Sequence, residues 1–244
     1  MEFVTKTDVG VKRANNEDSY FAKKYNENVS LFIVADGLGG YEGGEIASKI
    51  LTIRVSRCFE EHLNDDLNSE EIVKDILLNA LEESNKQIYN MEKSSKKYSG
   101  MGTTIVLVAV IYGKIYYLSV GDSRLYYINS KITEIKQITE DDTYVNTLLK
   151  TNAINEAEIE NHPQKHVLTK AIGVFKEVKT EVNLLNEKNG FLLLCTDGLT
   201  NMLSNDDILN VIKKTEFENV AQKYIKQANQ NGGVDNTTVV VVKL

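Results

Sequence analysis

The sequence predicts an α+β fold, a four-layer αββα sandwich in which two antiparallel β-sheets pack face to face with pairs of helices outside. Three observations predict it. Short apolar runs with turn residues between them crowd the middle of the chain, the spacing of antiparallel strands and not of βαβ units. Two pairs of helical patterns separate the strand groups, so the order is strands, two helices, strands, two helices, strand. A length of 244 residues, a hydrophobic content of 42% and no Pro-, Gly- or Ser-rich linker suit one domain, 1–244, with a substantial core.

The elements follow in chain order. Ser19–Ala22 and Val29–Ala35 read as strands, the second apolar throughout and therefore buried on both faces. Ile46, Ile50, Ile53 and the stretch from Arg54 to Phe59 suggest a first amphipathic helix. Ile72, Val73, Ile76, Leu77, Leu81 and Ile88 recur at three and four, giving a second. Ser69 precedes Glu70 and Glu71, an N-cap with an acidic first turn. Strands are then expected over 103–111, 114–120 and 124–128 as a meander, with Tyr112-Gly113 and Gly121-Asp122 as its turns. Residues from about 139 to 166 are polar and irregular, with short helical pieces. Strands follow around 179–185 and 190–196. Ser204 with Asp207 three residues on opens a helix with a capping-box pattern, and another helix runs near 216–230. Thr237–Lys243, rich in Val, closes the chain as a strand.

Composition narrows the function classes. A net charge of −7 argues against a broad nucleic-acid surface, which is ordinarily basic. Two cysteines, Cys58 and Cys195, make neither a disulfide framework nor a thiolate zinc site, and Cys195 in an apolar run reads as a small buried hydrophobe. A reducing cytoplasm is the natural setting. The first residues lack the basic and apolar regions of a signal peptide, and no apolar stretch approaches the roughly 20 residues that span a bilayer, so no membrane is expected.

The chemistry lies in short acidic motifs at strand edges: Glu17-Asp18, Asp36-Gly37, Gly121-Asp122-Ser123-Arg124, Thr196-Asp197-Gly198 and Asp235-Asn236. Singly, each reads as a turn, since Asp-Gly and Asp-Asn are common turn residues. Together they suggest carboxylates gathered by the fold. Such a cluster repels itself at low dielectric, and hard divalent cations with their preference for oxygen are the simplest neutralising partners. Upstream, Arg13 offers a planar fork of donors suited to a phosphate.

In their order these pieces resemble the metal-dependent protein phosphatases, the type-2C serine/threonine phosphatase family, in its short bacterial form. The matching segments are Asp8-Val9-Gly10, Arg13 to Asp18, Asp36 to Gly40, Gly100 to Thr104 and Gly121 to Arg124. After them come Ile138 to Asp141, Val167 to Gly173, Thr196 to Leu199 and Asp235-Asn236. No single piece is specific, but the ordered set is, and it covers the chain from about residue 3 onward.

The resemblance implies hydrolysis of phosphoserine and phosphothreonine on proteins by a water or hydroxide bridging two divalent ions, Mn²⁺ or Mg²⁺, with a third ion possible. Asp36 would bridge the two ions, Asp197 and Asp235 would hold one, and Glu17 with the Gly37 carbonyl the other. Asp18 would support them, Asp122 would share the third ion with Asp197, and Arg13 would grip the substrate phosphate. The segment near 140–166 matches the variable flap beside the family's site. Two positions depart from the pattern: Leu38 stands where many eukaryotic relatives carry a His proposed as general acid, and Asp142 where a His is common. His62, His162 and His166 read as surface or structural residues. The expected protein is thus a cytoplasmic, monomeric phosphatase acting on phosphorylated proteins, opposing a Ser/Thr protein kinase and binding no nucleic acid. The alternative is a catalytically weak pseudophosphatase that keeps the fold as a binding module.

Overall fold

A computed structural model describes residues 1–39, 43–159 and 161–244; Gly40, at the end of the motif that starts with Asp36, and Glu160, in the 140–166 segment, lie outside the described residues. The strands are β1 (Glu2–Asp8), β2 (Ser19–Lys24), β3 (Val29–Ala35), β4 (Gly37–Leu38), β5 (Gly102–Thr103), β6 (Ile105–Ile111), β7 (Lys114–Val120), β8 (Arg124–Ile128), β9 (Ile135–Gln137), β10 (Asn183–Leu185), β11 (Phe191–Cys195) and β12 (Thr237–Lys243). The helices are α1 (Gly43–Glu61), α2 (Glu70–Ser94), α3 (Tyr144–Lys150), α4 (Glu156–Ile159), α5 (Asp197–Thr200), α6 (Asn205–Lys214) and α7 (Val220–Gln230).

Two five-stranded antiparallel sheets result, ordered β1-β12-β11-β8-β9 and β10-β7-β6-β3-β2. Strands apolar on both faces need a cover on each, and the period-two alternation of side chains decides which goes where. In β3, Leu31, Ile33 and Ala35 join a core with α1 and α2, whereas Phe32 and Val34 point to the other sheet. In β12, Val239 and Val241 face α6 and α7, whereas Val240 and Val242 face inward. Leu192 and Leu194 of β11 and Val106 and Val108 of β6 complete the layer between the sheets. Three separate apolar clusters therefore fill the three interfaces of a four-layer αββα sandwich, as expected.

The helix signals in the sequence are used as written. Ser69 caps α2 by accepting from Ile72 N at 3.4 Å. Ser204 and Asp207 form a reciprocal capping box at the start of α6. Cys195 is fully buried, and burial pushes its thiol up to about 12.

The fold also corrects several expectations. The meander ends at Val120: β8 leaves β7 and pairs with β11 and β9 in the other sheet. Gly121-Asp122 is thus a crossing between sheets and not a hairpin. The first helix buries Ala47, Leu51, Val55 and Phe59 with Ser48, Thr52 and Ser56, while Ile53 is exposed. Three buried hydroxyls hid this face from a search for apolar periodicity; Ser48 and Thr52 satisfy theirs on backbone carbonyls. The strand expected over 103–111 breaks at Thr104 into β5 and β6, and that around 179–185 shrinks to β10. No strand was expected at β1 or β9, which are edge strands only partly buried and so lack a continuous apolar run.

Candidate active site

One end of the sandwich collects the acidic motifs. Register fixes this: Ser19 lies opposite Ala35, Cys195 opposite both Arg124 and Val239, and Asp8 opposite Thr237. Asp18, Asp36, Asp122, Asp197 and Asp235 each stand one or two residues beyond these strand ends. A direct bond ties the two sheets here, from Thr196 Oγ1 to Asp18 Oδ2 at 2.9 Å.

Asp36 is held through its backbone. Its N–H donates to Thr104 Oγ1 at 2.9 Å, and its carbonyl accepts from Thr104 N at 2.8 Å and Thr103 Oγ1 at 2.9 Å. No hydrogen bond reaches its carboxylate among the described residues. Gly37 follows in β4, its N–H on the Glu17 carbonyl at 3.1 Å. A Cβ at Gly37 would overlap the Gly44 and Glu17 carbonyl oxygens, so the chain can pass only without a side chain. Glu17 Oε2 lies against Gly44 in the first turn of α1, where aligned N–H dipoles favour negative charge.

Asn236 organises the opposite side. Its Oδ1 accepts from Glu17 N at 2.8 Å, and its Nδ2 donates to the carbonyls of Val9 at 2.9 Å and Asn15 at 2.8 Å. Its own N–H donates to Asp235 Oδ1 at 2.8 Å. Asp235 Oδ2 accepts from the exposed guanidinium of Arg13 at 2.8 Å. Asp197 opens the short helix α5, and Asn201 Nδ2 donates to its Oδ2 at 3.0 Å.

Apart from the Arg13–Asp235 pair, carboxylates outnumber cations here. Burial first, then Asp18, Asp197, Asp122 and Asp235 nearby, push the Asp36 carboxyl well above the usual range. Burial, with Asp197 and Asp235 behind it, takes Asp18 up to about 7 against the bond from Thr196. Asp122 reaches about 7 through burial, Asp197 and Asp141. Asp197 is raised by burial and then by Asp235. Glu17 is raised by burial, with Arg13 pulling the other way.

The donor set fits hard divalent cations. Every candidate ligand is a carboxylate or a backbone carbonyl, and Asp18 Oδ1 and Asp197 Oδ1 are buried without a hydrogen-bond partner among the described residues. Yet no three His, Cys, Asp or Glu side chains among those residues stand in ligand geometry as they are. Asp235 Oδ2 is turned to Arg13 and Asp197 Oδ2 to Asn201.

Beside the carboxylates lies a cavity of about 220 Å³ lined by Asp122, Arg124, Asp141, Val145, His166 and Asp197, among others. Arg124 grips Asp141 with Nε at 3.0 Å from both carboxylate oxygens and Nη2 at 2.7 Å from Oδ2. The 140–166 segment bounds this cavity. It leaves and returns at one neck, where Thr143 pairs with Leu168 and Tyr144 N donates to Val167 O at 2.8 Å. A larger cleft, about 1010 Å³ along α2, contains none of the clustered carboxylates.

The profile of the family described as Protein phosphatase 2C matches residues 11–237. The chain belongs to the protein phosphatase 2C family. The serine/threonine phosphatase stp of Listeria monocytogenes is 34% identical over 240 residues, covering 98% of this chain and 94% of the relative. The solved serine/threonine phosphatase of S. agalactiae superposes with a TM-score of 0.90 at 36% identity, covering 100% of this chain and 99% of that one. The catalytic domain of the phosphatase PstP, in complex with 2 manganese ions, superposes at 0.83 with 30% identity, covering 99% and 97%. These relatives are named as enzymes, and they lend no support to a pseudophosphatase.

The structure brings Glu17, Asp18, Asp36, Gly37, Asp122, Asp197 and Asp235 to one place, with Arg13 at its rim. Sequence reasoning gave no role to Thr103, Thr104, Thr196, Asn201 or Asn236, which hold those residues. A signal existed in Thr103-Thr104 and Thr196, polar residues against apolar runs that must find partners when buried. His166, read as a surface or structural residue, is exposed and reaches the edge of the site with Nδ1 3.9 Å from Asp197 Oδ2. Asp142, at the second departure from the family pattern, takes Gly121 N at 3.2 Å and Lys170 Nζ at 3.0 Å, so the turn before Asp122 keeps a local partner.

Proposed function

We infer that this chain is a protein serine/threonine phosphatase that uses two divalent ions, Mn²⁺ or Mg²⁺, with room for a third. The observation that carries the reading is the meeting of stranded, mutually repelling carboxylate oxygens with an exposed guanidinium at the end of the sandwich. Asp36 would be shared by the two ions, Asp197 and Asp235 would hold one, and Glu17 with the Gly37 carbonyl the other. Asp18 would support from below, and Asp122 with Asp197 would take the third. When bound, such ions supply positive charge against phosphoryl oxygens and lower the pKa of the attacking water.

The chain's own residues do the rest. Arg13 is exposed and holds Asp235 with one nitrogen, so its fork can turn to a substrate phosphate. Asn236 and Thr196 keep their carboxylates in place by bonds made before substrate arrives, which spares reorganisation during reaction. Leu38 can donate no proton, so the leaving oxygen is not served from that position. The 140–166 segment shares a cavity with Asp122 and Asp197, and this supports its reading as a flap that contacts the phosphoprotein.

The reading takes residues 1–244 as one catalytic domain acting on phosphoproteins as a cytoplasmic monomer opposite a Ser/Thr kinase. The net charge of −7 suits a phosphoprotein enzyme better than a nucleic-acid binder, and no helix among the described residues is long and apolar enough to cross a membrane. The test is hydrolysis of phosphoserine, phosphothreonine and phosphotyrosine peptides with Mn²⁺, Mg²⁺ or chelator. Metal-dependent release from the first two is expected. No release at saturating Mn²⁺ and Mg²⁺ would return the chain to the binding-module reading.

A further inference from the structure

Thr103 and Thr104 carry Asp36 from behind, and something must carry them. Besides its bond to the Asp36 carbonyl, Thr103 pairs with Gly37 in the β4–β5 ribbon. On its other side it exchanges two backbone bonds with Ile172, N to O at 2.9 Å and O to N at 2.8 Å. That bridge is isolated and belongs to no longer ladder, so its register needs an anchor outside itself. The anchor is a side chain of α2. Asn85, 3% exposed, accepts from Gly173 N at 2.7 Å through Oδ1 and donates through Nδ2 to the carbonyls of Phe175 and Lys176, each at 3.1 Å. One acceptor and two donors is the full inventory of an Asn amide apart from a second lone pair. The reverse amide orientation would set donor on donor and acceptor on two acceptors, so the assignment is unique.

Asn85 sits in the buried stripe of α2 between Leu81 and Ile88, where an apolar residue would pack at no desolvation cost. We propose that Asn85 is a positioning residue for the active site: by tying residues 173–176 to α2 it fixes the Ile172–Thr103 bridge and thereby the mount of Asp36 and Gly37. The proposal rests on the ion-holding role read for Asp36 and Gly37. Its physical basis is a run of four links from Asn85 in α2 to Gly173 to Ile172 to Thr103 to Asp36, in which every link is a hydrogen bond or a chain neighbour. Groups that hold ligands in place are worth about 10- to 100-fold in metal affinity or activity.

The test compares Asn85→Ala, Thr103→Val and their double variant with wild type. Val211→Ala, in the opposite helix layer, serves as a control of ordinary destabilisation. Asn85→Ser, which keeps a polar group, replaces Asn85→Ala should that variant not fold. In chelated protein, amide exchange over 101–105 is expected to speed up in the Asn85 variant and not in Val211→Ala. With Mn²⁺, the concentration for half-maximal phosphopeptide hydrolysis should rise about 10-fold and kcat should fall, with KM unchanged. The double variant should lose less than the sum of the singles, because both act on one mount. A lowered melting temperature with unchanged exchange over 101–105 and unchanged Mn²⁺ response would make Asn85 merely structural and overturn the proposal, as would strict additivity. Were wild type itself to show no metal-dependent activity, the functional reading would fall, yet the exchange experiment would still decide the positioning role.

Discussion

The chain uses the same dipeptide twice at the same kind of place, and the two uses differ. Asp36-Gly37 ends β3 and Asp197-Gly198 ends β11, each strand interior to its sheet. Both glycines are required by close backbone approach: a Cβ at Gly37 would overlap the Gly44 carbonyl, and one at Gly198 the Asn236 carbonyl. Beyond that the two part. Asp36 is gripped by three bonds to its backbone, leaving its carboxylate without a hydrogen bond among the described residues. Asp197 begins a helical turn, and Asn201 takes one of its carboxylate oxygens. A carboxylate fixed from behind has both oxygens to give, whereas one held by its side chain has one. The difference supports the proposed sharing of Asp36 between the two ions, and it leaves Asp197 with one oxygen, Oδ1, without a hydrogen-bond partner among the described residues.

The largest effect should come from removing that difference. Asp36→Asn keeps shape and loses charge, and Mn²⁺-supported phosphopeptide turnover should fall on the order of 10³-fold or more, since several kcal/mol of charge stabilisation go with it. Asp197→Asn should cost less, about 10²-fold. In chelator, stability moves opposite to turnover: Asp36→Asn should melt above wild type, because burial and four neighbouring carboxylates oppose its charge. Equal losses of turnover in the two variants would break the comparison.

Arg13→Ala probes the Asp197 side, where Arg13 leans on Asp235. KM for a phosphopeptide should rise about 10-fold with a smaller change in kcat, in line with the loss of a charge-assisted bond. Steady-state kinetics at saturating Mn²⁺ decide it, and an unchanged KM would remove Arg13 from phosphate binding.

What the sequence revealed of this site follows a physical rule. Asp36, Asp197 and Asp235 were legible because each interrupts or borders an apolar run, and a charge at the end of a buried strand is conspicuous. The sandwich was legible for a related reason, since β3, β11 and β12 are apolar on both faces and need two covers. The mounts were not legible. Thr103, Thr104 and Asn85 act through side-chain bonds to the backbone of segments 67 to 91 residues away, which no local periodicity records. The crossing at Gly121-Asp122 was misread as a hairpin because a two-residue turn looks alike whether the next strand pairs back or leaves for the other sheet. Only the partner of β8, supplied by β11 some sixty residues later, separates the two.

That crossing sets up the smallest test. Asp122 lies between the sheets, its carboxyl pushed up to about 7 by burial and then by Asp197 and Asp141, against about 3.9 for an unfolded Asp. A folded-state pKa above the unfolded one means the native protein binds more protons between those values. The stability this group contributes is whole below about pH 4 and is lost as pH rises toward about 7. Asn at this position does not titrate. In chelator, the melting temperature of Asp122→Asn should therefore gain on wild type from pH 5 to pH 7 and stop gaining above that, as scanning calorimetry would read. Asp36→Asn should gain in the same direction over a window that extends further, because its carboxyl is raised well above the usual range. Saturating Mn²⁺ should flatten both curves, since a cation that compensates the carboxylates removes the advantage of a proton. A gain that stayed constant with pH would mean that Asp122 is solvated outside the cluster, and the third-ion position would lose its footing.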